Sequence, residues 1–90
     1  MTAMMLSNCV SNKDIGTCEI KEVLEFKVKN KDIYYANIIF CHCKSRELRR
    51  TLIKNELYNR YPSVKGKKIQ INEYLGKLYN QYKYEIKIEW

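Results

Sequence analysis

The residue types best able to do chemistry gather at Cys41-His42-Cys43, with Cys9 and Cys18 upstream. Thiolates and imidazole are the ligands zinc prefers. A strand running through this tripeptide sets Cys41 and Cys43 about 6.5–7 Å apart on one face and turns His42 to the other. That is not a knuckle, and Cys9 and Cys18 are also spaced too far apart for one. A disulfide between Cys9 or Cys18 and Cys41 or Cys43 is a second reading; it suits an oxidising compartment or a hyperthermophile-associated source. The third, which the spacing favours, is buried free thiols packing as small hydrophobes. A nucleophilic Cys–His pair needs hydrogen-bond reach, which neighbours on a strand lack.

The carboxylates add no clear acid–base pair. Asp14, Asp32, Glu22 and Glu73 are scattered along the chain. Glu22 and Glu73 fall on the apolar parity of their strands, which could bring two carboxylates together. The simpler expectation is a strand end or bulge that leaves each in water. Lys65-Gly-Lys-Lys68 has a single glycine and no following helix signature, so it is not a phosphate loop. No catalytic residue, metal or cofactor is expected, and the chain reads as non-enzymatic.

Charge is the informative feature. The net charge is +7 over 90 residues. All of it lies in residues 44–68, where nine Lys/Arg face two Glu; the flanking stretches are neutral. A localised excess of this kind favours anionic partners. Arg46, Arg50 and Lys54 recur at i, i+4 and i+8, a like-charge ladder that costs about a few tenths of a kcal/mol per pair. Lys44 and Arg46 also crowd a helix start, where the macrodipole favours anions. A bound phosphate would relieve both, taking backbone N–H groups and the Ser45 hydroxyl with it; a solvated face screened by salt is the competing reading. The candidate contacts are Lys44, Ser45, Arg46, Arg49, Arg50, Lys54, Arg60, Lys65, Lys67 and Lys68. Tyr58 and Tyr61 are candidate stacking surfaces.

These residues need elements to hold them. Glu19–Lys29 alternates, placing Ile20, Leu24, Phe26 and Val28 inward, and reads as a half-buried strand. Asn30-Lys-Asp32 supplies a turn. Ile33–Cys43 is apolar on both parities, as a strand inside a sheet would be. Ser45 caps a helix that ends before Pro62. Its residues Ile53, Leu57 and Tyr61 cover the sheet, while Leu48 and Leu52 fill the rim or meet a partner. Ile69-Gln-Ile71 resumes strand character. Residues 72–82 fit either a short helix at 73–80 or a hairpin turning at Leu75-Gly-Lys77; Gly76, costly within a helix, favours the hairpin. Tyr82–Trp90 alternates strictly, with Tyr82, Tyr84, Ile86, Ile88 and Trp90 inward.

The expected fold class is therefore α+β: one antiparallel sheet with one main helix on one face, in the order β-β-α-β-β. Ninety residues suit a single small domain, with residues 1–18 an irregular arm. No run reaches the roughly 18–20 apolar residues of a membrane span, and the start lacks a signal-peptide pattern. No membrane partner and an intracellular location are expected. The run from the second strand through Ser45-Arg-Glu-Leu, the helix, and Val64-Lys-Gly-Lys-Lys-Ile-Gln-Ile-Asn72 resembles the ββαβ unit of the archaeal and eukaryotic ribosomal LX proteins. That unit also looks like the one in small phage inhibitors of host RNA polymerase. The resemblance implies fold only and carries no functional residues. Two partners fit the sequence: nucleic acid, RNA or single-stranded, on the helix and loop, or an acidic protein surface met by a small viral-type interaction module. The second could pair the Tyr82–Trp90 strand as an edge.

Overall fold

The computed structural model describes residues 18–41 and 43–90; His42 and most of the expected N-terminal arm lie outside them. The elements run β1 (Glu19–Asn30), β2 (Ile33–Cys41), α1 (Arg46–Arg60), a 3-10 turn (Pro62–Val64), β3 (Lys68–Leu75) and β4 (Gln81–Glu89). The four strands form one antiparallel sheet in the order β1-β2-β4-β3. This is the expected α+β arrangement with one main helix. No second helix forms at 73–80.

The strand order corrects one expectation. Tyr82–Trp90 is no edge: β4 pairs with β2 on one side and β3 on the other. The edges are β1 and β3. Trp90 is not inward either. It is 51% exposed, with the Lys31 and Lys67 ammonium groups 5.9 and 5.1 Å from its ring centroid.

Alternation builds the core from the middle strands. Tyr34, Ala36, Ile38 and Phe40 of β2 and Tyr84, Ile86 and Ile88 of β4 are buried together with Ile53 and Leu57 of α1, Val64 and Ile71. Phe40 stacks edge-on against Tyr82 and Tyr84. Tyr61 closes one end of the helix seam against Tyr34 and Phe26, with ring centroids 4.9 and 6.1 Å apart. Its half-buried ring serves packing there, rather than the open stacking expected of it.

β1 departs from simple alternation. Its pairing with β2 shifts between Ile20 and Glu22, between Val23 and Glu25, and between Val28 and Asn30. Each bulge adds a residue and flips the parity that follows. The side chains packed against the core are therefore Ile20, Val23 and Phe26, three apart. Leu24 and Val28, expected inward, are 40% and 41% exposed.

The β3–β4 hairpin explains Gly76. The Gln81 side chain folds over the loop, and its Oε1 accepts from the Lys77 and Leu78 amides at 3.1 and 3.0 Å. A Cβ on Gly76 would sit 2.5 Å from Gln81 Cδ. Asn80 takes the one positive φ among described non-glycine residues, 59°, a conformation asparagine tolerates.

The free-thiol expectation is overturned. Cys18 and Cys43 form a disulfide that closes a separation of 25 residues. Cys41 is also disulfide-bonded. The Cys18–Cys43 bond ties the start of β1 to the link between β2 and α1, so it fixes where the helix begins. A loop of this length corresponds to about 3 kcal/mol of lost unfolded-state entropy. The C18A/C43A variant should lose about 2–4 kcal/mol in urea unfolding at neutral pH; a loss below about 0.5 kcal/mol would show that the bond does not brace the fold.

Candidate anion-binding face

Ser45 is the helix N-cap, as the sequence suggests: its Oγ accepts from the Leu48 amide at 3.2 Å. From that start the helix divides its basic residues between two directions. One line, four residues apart, is Arg49, Ile53 and Leu57, all buried. The other is Arg46, Arg50 and Lys54, which runs along the flank of the first and with Glu47 and Thr51 lines a shallow surface hollow.

Arg49 is thereby removed from the outward cations. Its guanidinium lies between α1 and the sheet. Nε and Nη2 donate to the two Glu73 carboxylate oxygens at 2.7 and 3.0 Å, and Nη1 donates to the Cys43 carbonyl at 2.9 Å. The face of the group lies 4.1 Å from the Tyr82 ring centroid. The Tyr84 hydroxyl donates to Glu73 Oε2 at 2.6 Å. Glu73 is therefore not placed in water by a strand end; its side chain is 10% exposed. It also does not meet Glu22, which is exposed on β1.

The register accounts for this. Glu73 pairs with Tyr84, and Ile71 with Ile86, so Glu73 belongs to the row that faces the helix. Burial pushes its carboxyl up, but hydrogen bonds from Arg49 and Tyr84 and the Arg49 charge outweigh that and hold it below the usual carboxylate range. The Arg49 guanidinium is held more firmly protonated, chiefly by its hydrogen bond to Glu73, against the opposing effect of burial. The Tyr84 hydroxyl is pushed well above the ordinary tyrosine range by burial and by donating to Glu73. Two lines of sequence already held the signal: Arg49 sits one turn before Ile53, and Glu73 sits on an apolar parity.

The remaining candidates are distributed along the helix. Lys44, Arg46, Lys65, Lys67 and Lys68 are exposed; Arg50, Lys54 and Tyr58 are half-buried. Arg60 is paired with Glu56 at 2.8 Å and covers the Phe26 ring at 4.9 Å. Lys67 lies over Trp90. Tyr58 packs partly against the core. Among the described residues Lys44, Arg46, Arg50, Lys54, Lys65 and Lys68 form no ion pair. The Arg46–Lys54 row lies on the first half of α1, and Lys65–Lys68 lies beyond its far end, about 20 Å from Arg46 along the axis. The structure thus gives two basic patches rather than one. Among the described residues no His, Cys, Asp and Glu cluster could hold a metal ion. No helix among them is long and apolar enough to cross a membrane.

The Arg49–Glu73 pair makes a stability prediction. Removing one partner leaves the other charged and buried, at a cost of about 3–5 kcal/mol. E73Q should be destabilised by about 3 kcal/mol at pH 7. A depressed folded pKa contributes stability that is complete above the unfolded value, 4.5 for an unperturbed glutamate. That stability is lost as pH falls through the folded value. The gap between wild type and E73Q in denaturant midpoint should therefore narrow on going from pH 7 to pH 3. A constant gap would exclude the ionised pair.

No family model matches the chain, and no curated protein and no solved structure matches it.

Proposed function

We propose that this chain is a non-enzymatic nucleic-acid-binding module that holds the phosphates of RNA or of a single strand against the outer side of α1. The observation that carries this reading is the row Arg46, Arg50 and Lys54. Its three cations line one surface hollow and form no salt bridge among the described residues, though the Arg46 charge is felt by Glu73. They belong to the one stretch that holds the protein's net charge. Successive members are about 6 Å apart along the helix axis. A regular row of point charges suits a repeating polyanion better than a single small anion. The row begins at Arg46, the first residue of the helix, where the partial positive charge of the N-terminus adds to it.

Arg49, Arg60, Tyr58 and Tyr61 have structural work in this arrangement and take no part in contact. Lys44 extends the row at its start. Lys65 and Lys68 form a second patch that a longer strand would reach. Binding of this type is electrostatic and sequence-tolerant, and each phosphate neutralised releases counterions. The Cys18–Cys43 bond bears on where the module works. An intracellular site would be one whose interior lets disulfides persist, as in hyperthermophiles.

Titration of a fluorescent single-stranded oligonucleotide at several salt concentrations tests the reading. Wild type should show log Kd rising with log salt. R46Q/R50Q/K54Q should lower that slope by about 2, at about 0.7 per phosphate contact on a single strand. Tyr58→Ala should leave the slope unchanged. Absence of salt-dependent binding to any RNA or DNA pool would overturn the proposal.

A further inference from the structure

The two sheet edges are built differently. β1 carries three register shifts and the charges of Glu19, Lys21, Glu22, Glu25, Lys27 and Lys29. Bulges and charges of this kind are how edge strands resist pairing with another chain. β3 has neither defence. Its eight residues stay in unbroken register with β4. Lys68 stands at its very start, and Glu73 is turned inward onto Arg49. The outer row of β3 backbone groups is unpaired among the described residues.

Large exposed apolar side chains sit at both ends of this strand. At one end, on the hairpin tip, Tyr74, Leu75, Leu78 and Tyr79 are 53%, 77%, 57% and 86% exposed. At the other end Lys68 pairs with Glu89, which puts the half-exposed ring of Trp90 beside Lys67. Isolated exposed apolar residues need no explanation, but clusters next to an open edge do.

We propose that β3 pairs antiparallel with β3 of a second copy of this chain, joining two sheets into one of eight strands. Antiparallel pairing sets the Leu75 end of each strand beside the Lys68 end of the other. Each hairpin tip then lies against the partner's Trp90, and the contact occurs twice by symmetry. No parallel or tip-to-tip arrangement covers both clusters. The two-fold axis passes near Ile71 and Asn72 and stands normal to the sheet, since the Ile69, Ile71 and Glu73 row must face the helix layer in both copies. Both α1 helices then lie on one side of the joined sheet. A second copy is favoured over a foreign strand because each surface it needs is present on this chain at the opposite end of the same strand. The inference does not rest on the nucleic-acid reading.

Sedimentation of the full chain without nucleic acid, over a concentration series from low micromolar upward, tests it. The mass should rise to twice 10.9 kDa. Q70K/N72K places like charges across the axis on the side away from the helix. It should sediment as a monomer throughout, with wild-type circular dichroism. L78K/Y79K at the tip should raise the dimer dissociation constant about tenfold or more, since each contact is lost twice. A mass of 10.9 kDa at every concentration, or a dimer that survives Q70K/N72K, would overturn the proposal. Hydrogen exchange on wild type covers the case in which Q70K/N72K fails to fold. Amide protection should rise with concentration in β3 and not in β1; equal or absent gains would also overturn it.

Discussion

The placement of Arg49 against Glu73 governs the rest of this molecule. An arginine and a glutamate side chain, each about nine-tenths shielded from water, cannot be left separately charged in a 90-residue protein with a thin stability margin. Their bidentate contact resolves that, and it does so across three elements. Arg49 comes from α1, Glu73 from the edge strand β3, and the carbonyl that accepts the third guanidinium bond belongs to Cys43 between β2 and α1. Tyr84 of β4 completes the set. The pair therefore sets the rotation of α1 about its own axis. With Arg49, Ile53 and Leu57 turned in, the row Arg46, Arg50 and Lys54 falls on the flank of the buried line, since a drift of about 100° per residue leaves Arg46 close to the direction of Ile53 and carries Lys54 well round the helix. The placing of the basic row thus depends on the one buried ion pair among the described residues.

The disulfide acts on the same joint from the other direction. Cys18–Cys43 restrains the segment that presents the Cys43 carbonyl to Arg49. Covalent and ionic restraints thus meet at the start of α1, where the candidate anion-binding row begins. Small domains that cannot bury enough apolar surface often use such staples.

Much of this was legible in the sequence, for definite reasons. β4 announces itself because period-two alternation survives in an unbulged strand, and β2 because a short run apolar on both parities is what an interior strand requires. Ser45 and Pro62 mark the ends of α1 through capping and steric rules that act locally. β1 was legible as a strand but not in its facing, because a bulge changes parity without changing residue types: Leu24 looks as inward as Val23 does, while Val28 keeps the parity of Phe26 and is exposed near the strand end. Strand order was not legible, since antiparallel hairpins of similar length can be joined with either member outermost. Only the register shows that β4, not β3, is interior. The Cys18–Cys43 bond was among the arm-to-strand pairings the sequence offered, but nothing local ranks such a pairing above buried free thiols. Arg49 was grouped with its basic neighbours by charge, although its position one turn before Ile53 and Leu57 already placed it on the buried line.

One basic helix thus holds a buried, paired Arg49 and, on its flank, the row Arg46, Arg50 and Lys54. The most direct measurement is an NMR titration of the isotope-labelled chain with a short single-stranded oligonucleotide, following backbone amides and arginine side-chain Nε–H signals. Shifts should concentrate at Arg46, Arg50 and Lys54, with the Arg49 Nε–H resonance slow to exchange and unmoved. Shifts centred instead on the second hollow, lined by Tyr35, Asn37 and Lys83 of β2 and β4, or an Arg49 signal that exchanges freely and follows the ligand, would contradict it.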